Sequence, residues 1–150
     1  MKLKFMPTSA ALVLVAGSVV LALVLMASIS AASDREGNLH LKKECSQYTG
    51  LAGSFCTFTS SNLPQIKIGS QVFYDQAAGI PAGLLDSNVV VDAGNGSRAV
   101  GRCTLDLVTN LGLCTFSDGT GHLAGFQARV NVDCRSGCRW DGTYSFDRDR

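Results

Sequence analysis

Helical periodicity is what this 150-residue chain lacks beyond its first 33 residues. An amphipathic helix repeats its apolar residues three and four apart, and no long stretch from Tyr48 onward does so. A helical bundle is thereby excluded, and no internal repeat points to a solenoid. Histidine is scarce as well. His40 and His122 are the only two, and neither stands at a ligand spacing from a Cys. No pair of CxxC elements occurs, so the common zinc frameworks are excluded and no metal is expected. Net charge is almost nil, with 13 basic and 12 acidic residues. So balanced a domain has no electrostatic footprint for nucleic acid. Arg129, Arg135 and Arg139 are interleaved with Asp133 and Asp141 and read as a solvated face. The Gly-rich knot SDGTG, 117–121, is no P-loop, because no Lys follows it and an alternating run comes next. It is no calcium loop, because it lacks further oxygen ligands and a closing Glu. No cofactor is expected.

What the chain does have begins at its amino end. Lys2 and Lys4 precede a charge-free run from Phe5 to Ser33, with an apolar heart over residues 10–29. A basic start, an apolar stretch and the small residues Ser30-Ala31-Ala32 form the pattern of an export signal. The preferred cut is Ala32/Ser33. The run also has the length of a bilayer span, roughly 20 apolar residues, so an uncleaved anchor is the alternative. Both readings leave the remainder outside the membrane, because basic residues stay on the cytoplasmic side. No Cys ends the apolar run, which excludes a bacterial lipoprotein. Loss of residues 1–32 removes two basic residues and leaves a net charge of −1.

All six Cys fall in the exported part: Cys45, Cys56, Cys103, Cys114, Cys134 and Cys138. An even count in a small exported domain implies disulfides. Six Cys allow 15 pairings, and sequence alone does not choose among them. Local spacing favours Cys103 with Cys114 across a hairpin and Cys134 with Cys138 across Arg135-Ser136-Gly137. Cys45 and Cys56 then remain.

From Tyr48 onward the pattern is that of strands, whose side chains alternate between two faces. Ala124, Phe126, Ala128, Val130, Val132 and Cys134 share one face; Gly125, Gln127, Arg129, Asn131 and Asp133 share the other. Residues 98–107 and 139–146 split the same way. Further strand candidates are 54–60, 66–75 and 88–93. Small residues (Gly101, Ala124, Gly142) share the inner face with Phe126, Trp140 and Phe146, a mixture that a curved, closed wall requires. The segment 77–85, AAGIPAGLL, reads as a loose turn or an apolar loop over a barrel end. The organisation expected is a signal or anchor helix over 1–32, a charged lead-in over 33–47, a β domain over 48–147 and a charged tail over 148–150.

Gly119, Gly121 and Gly125, followed by an alternating run and an aromatic-rich last strand at 140–146, resemble the Gly-x-Gly-x-x-x-Gly segment of the allene oxide cyclase and dirigent-like β-barrels. The resemblance covers roughly residues 86–146. It implies an all-β, eight-stranded antiparallel closed barrel around an apolar cavity. Members include isomerases that cyclise an oxidised fatty acid and proteins that steer phenoxy-radical coupling. Six Cys depart from the pattern of the enzyme members, and their catalytic carboxylates have no counterpart positions here. The expected role is therefore noncatalytic: binding a small apolar molecule, or serving as an extracellular scaffold. The alternatives are a cyclase-type isomerase acting on an oxidised lipid and a membrane-tethered surface protein.

The knot 117–121 is expected to be a turn or bulge, with Gly supplying positive φ and Asp118 capping amides. His122 follows it without a nucleophile in an elbow context. Asp86, at the entrance of a strand beside 77–85, is a pocket candidate whose alternative role is a turn cap. Phe116, Phe126, Trp140 and Tyr144 are candidates for an aromatic cavity wall, with core packing as the alternative. Asn95-Gly96-Ser97 is an N-glycosylation pattern in a turn. His40 is expected to be solvated in the lead-in.

Overall fold

Alternating runs close edge to edge into one cylinder. In a computed structural model that describes residues 35–147, eight strands follow in chain order: β1 Glu36–Glu44, β2 Phe55–Ser61, β3 Gln71–Tyr74, β4 Leu84–Asp92, β5 Arg98–Asp106, β6 Leu111–Thr120, β7 Phe126–Asp133 and β8 Cys138–Phe146. Each pairs antiparallel with its sequence neighbour, and β1 pairs with β8 to close an eight-stranded barrel. Closure leaves no strand edge exposed to pair with another chain. The fold class expected is present. The signal or anchor segment 1–32 and the tail 148–150 lie outside the described residues.

The charged lead-in over 33–47 needs correction. Its residues supply β1, so the barrel begins at Glu36 rather than at residue 48. Leu39, Leu41 and Lys43 face inward and are buried, while Asn38, His40, Lys42 and Glu44 face out. The alternation is genuine, but one of its three inward positions is a lysine. That hid the period. Two other boundaries also move. The run 66–75 is strand only over Gln71–Tyr74, because residues 64–70 turn back and bury Ile66. The loose segment 77–85 ends earlier than expected, since β4 begins at Leu84.

The Gly-rich knot resolves into a bulge and a turn. Ser117 through Thr120 still belong to β6. Opposite them the register slips: Phe116 faces Gly101 while Asp118 faces Val100, which leaves Ser117 as the extra residue. The chain then makes a 3-10 turn, Gly121–Leu123. Gly119 has no room for a side chain, since a Cβ there would lie 2.2 Å from the Leu123 carbonyl oxygen. Gly121 takes φ +60°, as expected for such a turn. The knot is structural: it tucks Leu123 into the barrel end.

The inner faces meet in a continuous aromatic column. Phe58 lies edge-on to Trp140 with centroids 5.4 Å apart, Trp140 is 5.7 Å from Phe116, and Phe116 is 6.0 Å from Phe126. Burying each such ring contributes about 2–3 kcal/mol. The two ends of the cylinder differ. At the end that carries the β2–β3, β4–β5 and β6–β7 connections, Leu63, Ile66 and Leu123 plug the interior, each 2% exposed or less. At the other end the strands are stapled. Disulfides join Cys45 to Cys56, Cys103 to Cys114 and Cys134 to Cys138. The first two span 11 residues and the third spans 4. By loop-closure entropy the longer ones are worth about 3 kcal/mol each and the short one about 2 kcal/mol.

Curvature of the wall rests on backbone approaching backbone. At Gly142 in β8 a Cβ would lie 2.0 Å from the Arg129 carbonyl oxygen and 2.7 Å from the Val130 Cα. Gly142→Ala is therefore expected to lower the free energy of unfolding by about 3 kcal/mol. Gly137→Ala, where a Cβ meets nothing within 4 Å but φ is +81°, is expected to cost about 1 kcal/mol. Urea unfolding of both variants checks the order.

Candidate functional site

β1 brings Lys43 to the inner wall by the same alternation that buries Leu39 and Leu41. Its neighbours across the ladder are Phe58 of β2 and Cys138 of β8. A slip in the β1–β2 register between Lys42 and Lys43 sets it opposite Phe58. Lys43 is 8% exposed. Its Nζ donates a hydrogen bond to the Tyr74 hydroxyl. It also stands 4.6 Å from the centroid of the Trp140 ring and 5.0 Å from that of Tyr74. Among the described residues no carboxylate forms an ion pair with it.

Around this amine lies a half-open chamber of about 160 Å³ at the stapled end of the barrel. Members of all three disulfides line it, together with Leu85, Leu105 and Val132. Tyr48, from the β1–β2 connection, closes over it and meets the Tyr74 ring edge-on at 5.3 Å. Among the described residues, the Tyr48 hydroxyl and Trp140 Nε1 are buried without a hydrogen-bond partner. A chamber of this size matches a cavity known to hold benzene, about 150 Å³.

The electrostatics follow from desolvation. An ammonium in an apolar site without a counter-ion is destabilised relative to the amine. Burial lowers the Lys43 pKa from 10.5 to about 7. Burial also raises the Tyr74 pKa, with a further push from the neighbouring phenol of Tyr48. Tyr48 itself is raised by burial. At neutral pH the chamber thus presents a large fraction of free amine beside two protonated phenols. A free amine is a base and a nucleophile; its protonated form is held by the ring faces of Trp140 and Tyr74.

The sequence-derived candidates scatter. Trp140 is 1% exposed and lines the chamber. Phe116 and Phe126 are buried in the aromatic column. Tyr144 stacks on Phe126 at 6.5 Å and, with Phe116, contributes to a different hollow. That hollow is an open groove of about 720 Å³ on the outer wall across β1, β6, β7 and β8, flanked by Glu36, Gln127 and Arg129. Asp86 does not reach the interior. It faces outward from β4 and takes a two-pronged ion pair from Arg102, at 2.9 and 2.8 Å. The strand alternation explains it: Leu85 and Ser87 take the inward positions on either side.

His122 is exposed, and its backbone N–H donates to Ser97 Oγ at 3.1 Å. His40 is exposed on β1 beside Asp141, 2.8 Å away. Arg135 and Arg139 both pair with Asp133 on the surface, as a solvated face requires. Asn95 is exposed in its turn at φ 53°, whereas Ser97 is buried. Among the described residues no three His, Cys, Asp or Glu side chains gather as a metal site.

Sequence reasoning missed Lys43, Tyr74 and Tyr48. The signal was present as Leu39-x-Leu41-x-Lys43, a period of two that continues into a charge. The pairings favoured by spacing, Cys103 with Cys114 and Cys134 with Cys138, are those observed. No protein family, curated protein or solved structure matches this chain.

A depressed lysine pKa ties stability to pH. Between about 7 and 10.5 the unfolded chain carries a proton that folded Lys43 has lost. Stability is therefore expected to rise with pH through that window and to be lost as pH falls toward 7. The titratable groups that line the chamber with Lys43 are Tyr74 and Tyr48, and burial raises both. Urea unfolding between pH 7.5 and 9.5 is expected to show a gain of up to about 1.4 kcal/mol per pH unit. Lys43→Met is expected to abolish that slope.

Proposed function

We propose that this chain is an exported, disulfide-stapled barrel that holds a small apolar molecule bearing one polar group in the chamber beside Lys43. The chamber carries this reading: an apolar, half-open, roughly benzene-sized volume lined by Lys43 and by two tyrosines, one of whose hydroxyls is buried with no partner among the described residues. Such a composition, apolar walls with a few convergent polar groups, is that of a ligand site. Access from the stapled end is supported by the apolar residues exposed on its strand ends and connections, among them Leu51, Ile80, Leu107 and Val108. Export is supported by the basic, apolar and small-residue order of residues 1–32 and by six cysteines that are all paired.

The allene oxide cyclase/dirigent-like assignment is part of this proposal. A closed eight-stranded antiparallel barrel and the bulge-and-turn role of Gly119 and Gly121 support it. An isomerase acting on a long-chain oxidised lipid fits less well. Such a lipid has several times the volume of benzene, and the opposite end of the cylinder is plugged by Leu63, Ile66 and Leu123.

Toluene is a suitable probe, since Trp140 is the only tryptophan and lines the chamber. Titration is expected to change Trp140 fluorescence saturably and to shift the methyl resonances of Leu85 and Val132. The methyls of Leu63 and Leu123 at the plugged end should stay in place. A non-saturating response, or equal shifts at both ends, would contradict the assignment.

A further inference from the structure

We infer that Lys43 is a covalent capture residue, which condenses with a small apolar aldehyde or ketone entering the chamber to form an imine. The inference rests on the ligand-binding reading and adds the chemical class of the ligand. Four observations carry it. Lys43 lines an apolar chamber with the volume of one aromatic ring or a short alkyl chain. Among the described residues no counter-ion holds the amine, whose Nζ hydrogen-bonds the Tyr74 hydroxyl. Tyr48 lines the same space, and its hydroxyl is buried beside it with no hydrogen-bond partner among the described residues. Burial supplies the reactive form, because the neutral amine is well populated near pH 7.

The step balances without an oxidant or a reductant. The Nζ lone pair attacks the carbonyl carbon, and the carbon–oxygen π electrons move to oxygen. That oxygen takes a proton from the Tyr74 hydroxyl, which recovers one from the attacking nitrogen. The resulting carbinolamine loses its hydroxyl and the remaining nitrogen proton as water. A carbon–nitrogen double bond to Lys43 is left. Hydrolysis reverses the sequence, so the barrel would store and release the carbonyl compound. The exposed lysines of the barrel, Lys42 and Lys67, lack the chamber and serve as internal references.

Benzaldehyde with cyanoborohydride tests this in the full chain, because reduction turns a transient imine into a stable N-benzyl group. Peptide mapping by mass spectrometry at pH 7 is expected to find Lys43 modified about tenfold or more over Lys42 and Lys67. Excess toluene is expected to suppress the modification at Lys43 alone. Tyr74→Phe is expected to slow it by about tenfold or more; an unchanged rate would overturn the proton relay. If toluene binds but the label falls on Lys42 and Lys67 with Lys43 untouched, the imine assignment is wrong and the binding site stands. If toluene does not bind and Lys43 stays unmodified, both readings are wrong.

Discussion

Lys43 is held in a barrel interior where, among the described residues, it meets a phenol oxygen and the faces of two rings but pairs with no carboxylate. Removing an ammonium from water is expensive, and a protein can offset that expense with a counter-ion or by letting the proton go. This structure takes the second course. The amine then loses a large fraction of its charge near neutrality, and the chamber around it stays apolar. The proposed ligand site, the proposed capture step and the expected pH response of the fold all descend from that one group without a counter-ion.

The wall makes the arrangement possible. Eight strands close a cylinder whose middle is filled by Trp140, Phe58, Phe116 and Phe126, which leaves space only at the ends. One end is sealed by the bulge at Ser117 and the turn that inserts Leu123. The other end is tied by disulfides rather than by bulky side chains. Cys45–Cys56 anchors the connection that carries Tyr48 over the chamber, while Cys103–Cys114 and Cys134–Cys138 fasten two hairpins across its rim. Sulfur–sulfur bridges take little volume and cannot ionise. They hold the strand ends together without filling the chamber or giving Lys43 a partner.

Much of this was legible before any coordinates. Alternation in β5, β7 and β8 is strong because apolar and charged residues share those strands cleanly, and Phe126, Ala128, Val130 and Val132 need only one register. Two of the disulfide pairs follow from proximity in sequence. The functional group was not legible, for a physical reason. Reading a strand by hydropathy assumes that inward positions are apolar, and β1 breaks the rule at the position that matters. A lysine at the third inward site of a nine-residue strand looks like solvent exposure. Asp86 misled in the opposite sense, since nothing in a sequence tells that a carboxylate beside an apolar loop is turned outward toward Arg102. Tyr74 and Tyr48 join Lys43 only through closure of the sheet and the Cys45–Cys56 bridge.

The charge state of Lys43 is the most direct test of the account. Selective ¹³C labelling of lysine lets the Lys43 Cε resonance be followed by NMR as pH is raised. Lys43 is expected to titrate at about 7. Titration of Lys43 near the ordinary lysine value of 10.5 would mean that the amine is hydrated or paired and that the chamber is not what organises this end of the barrel.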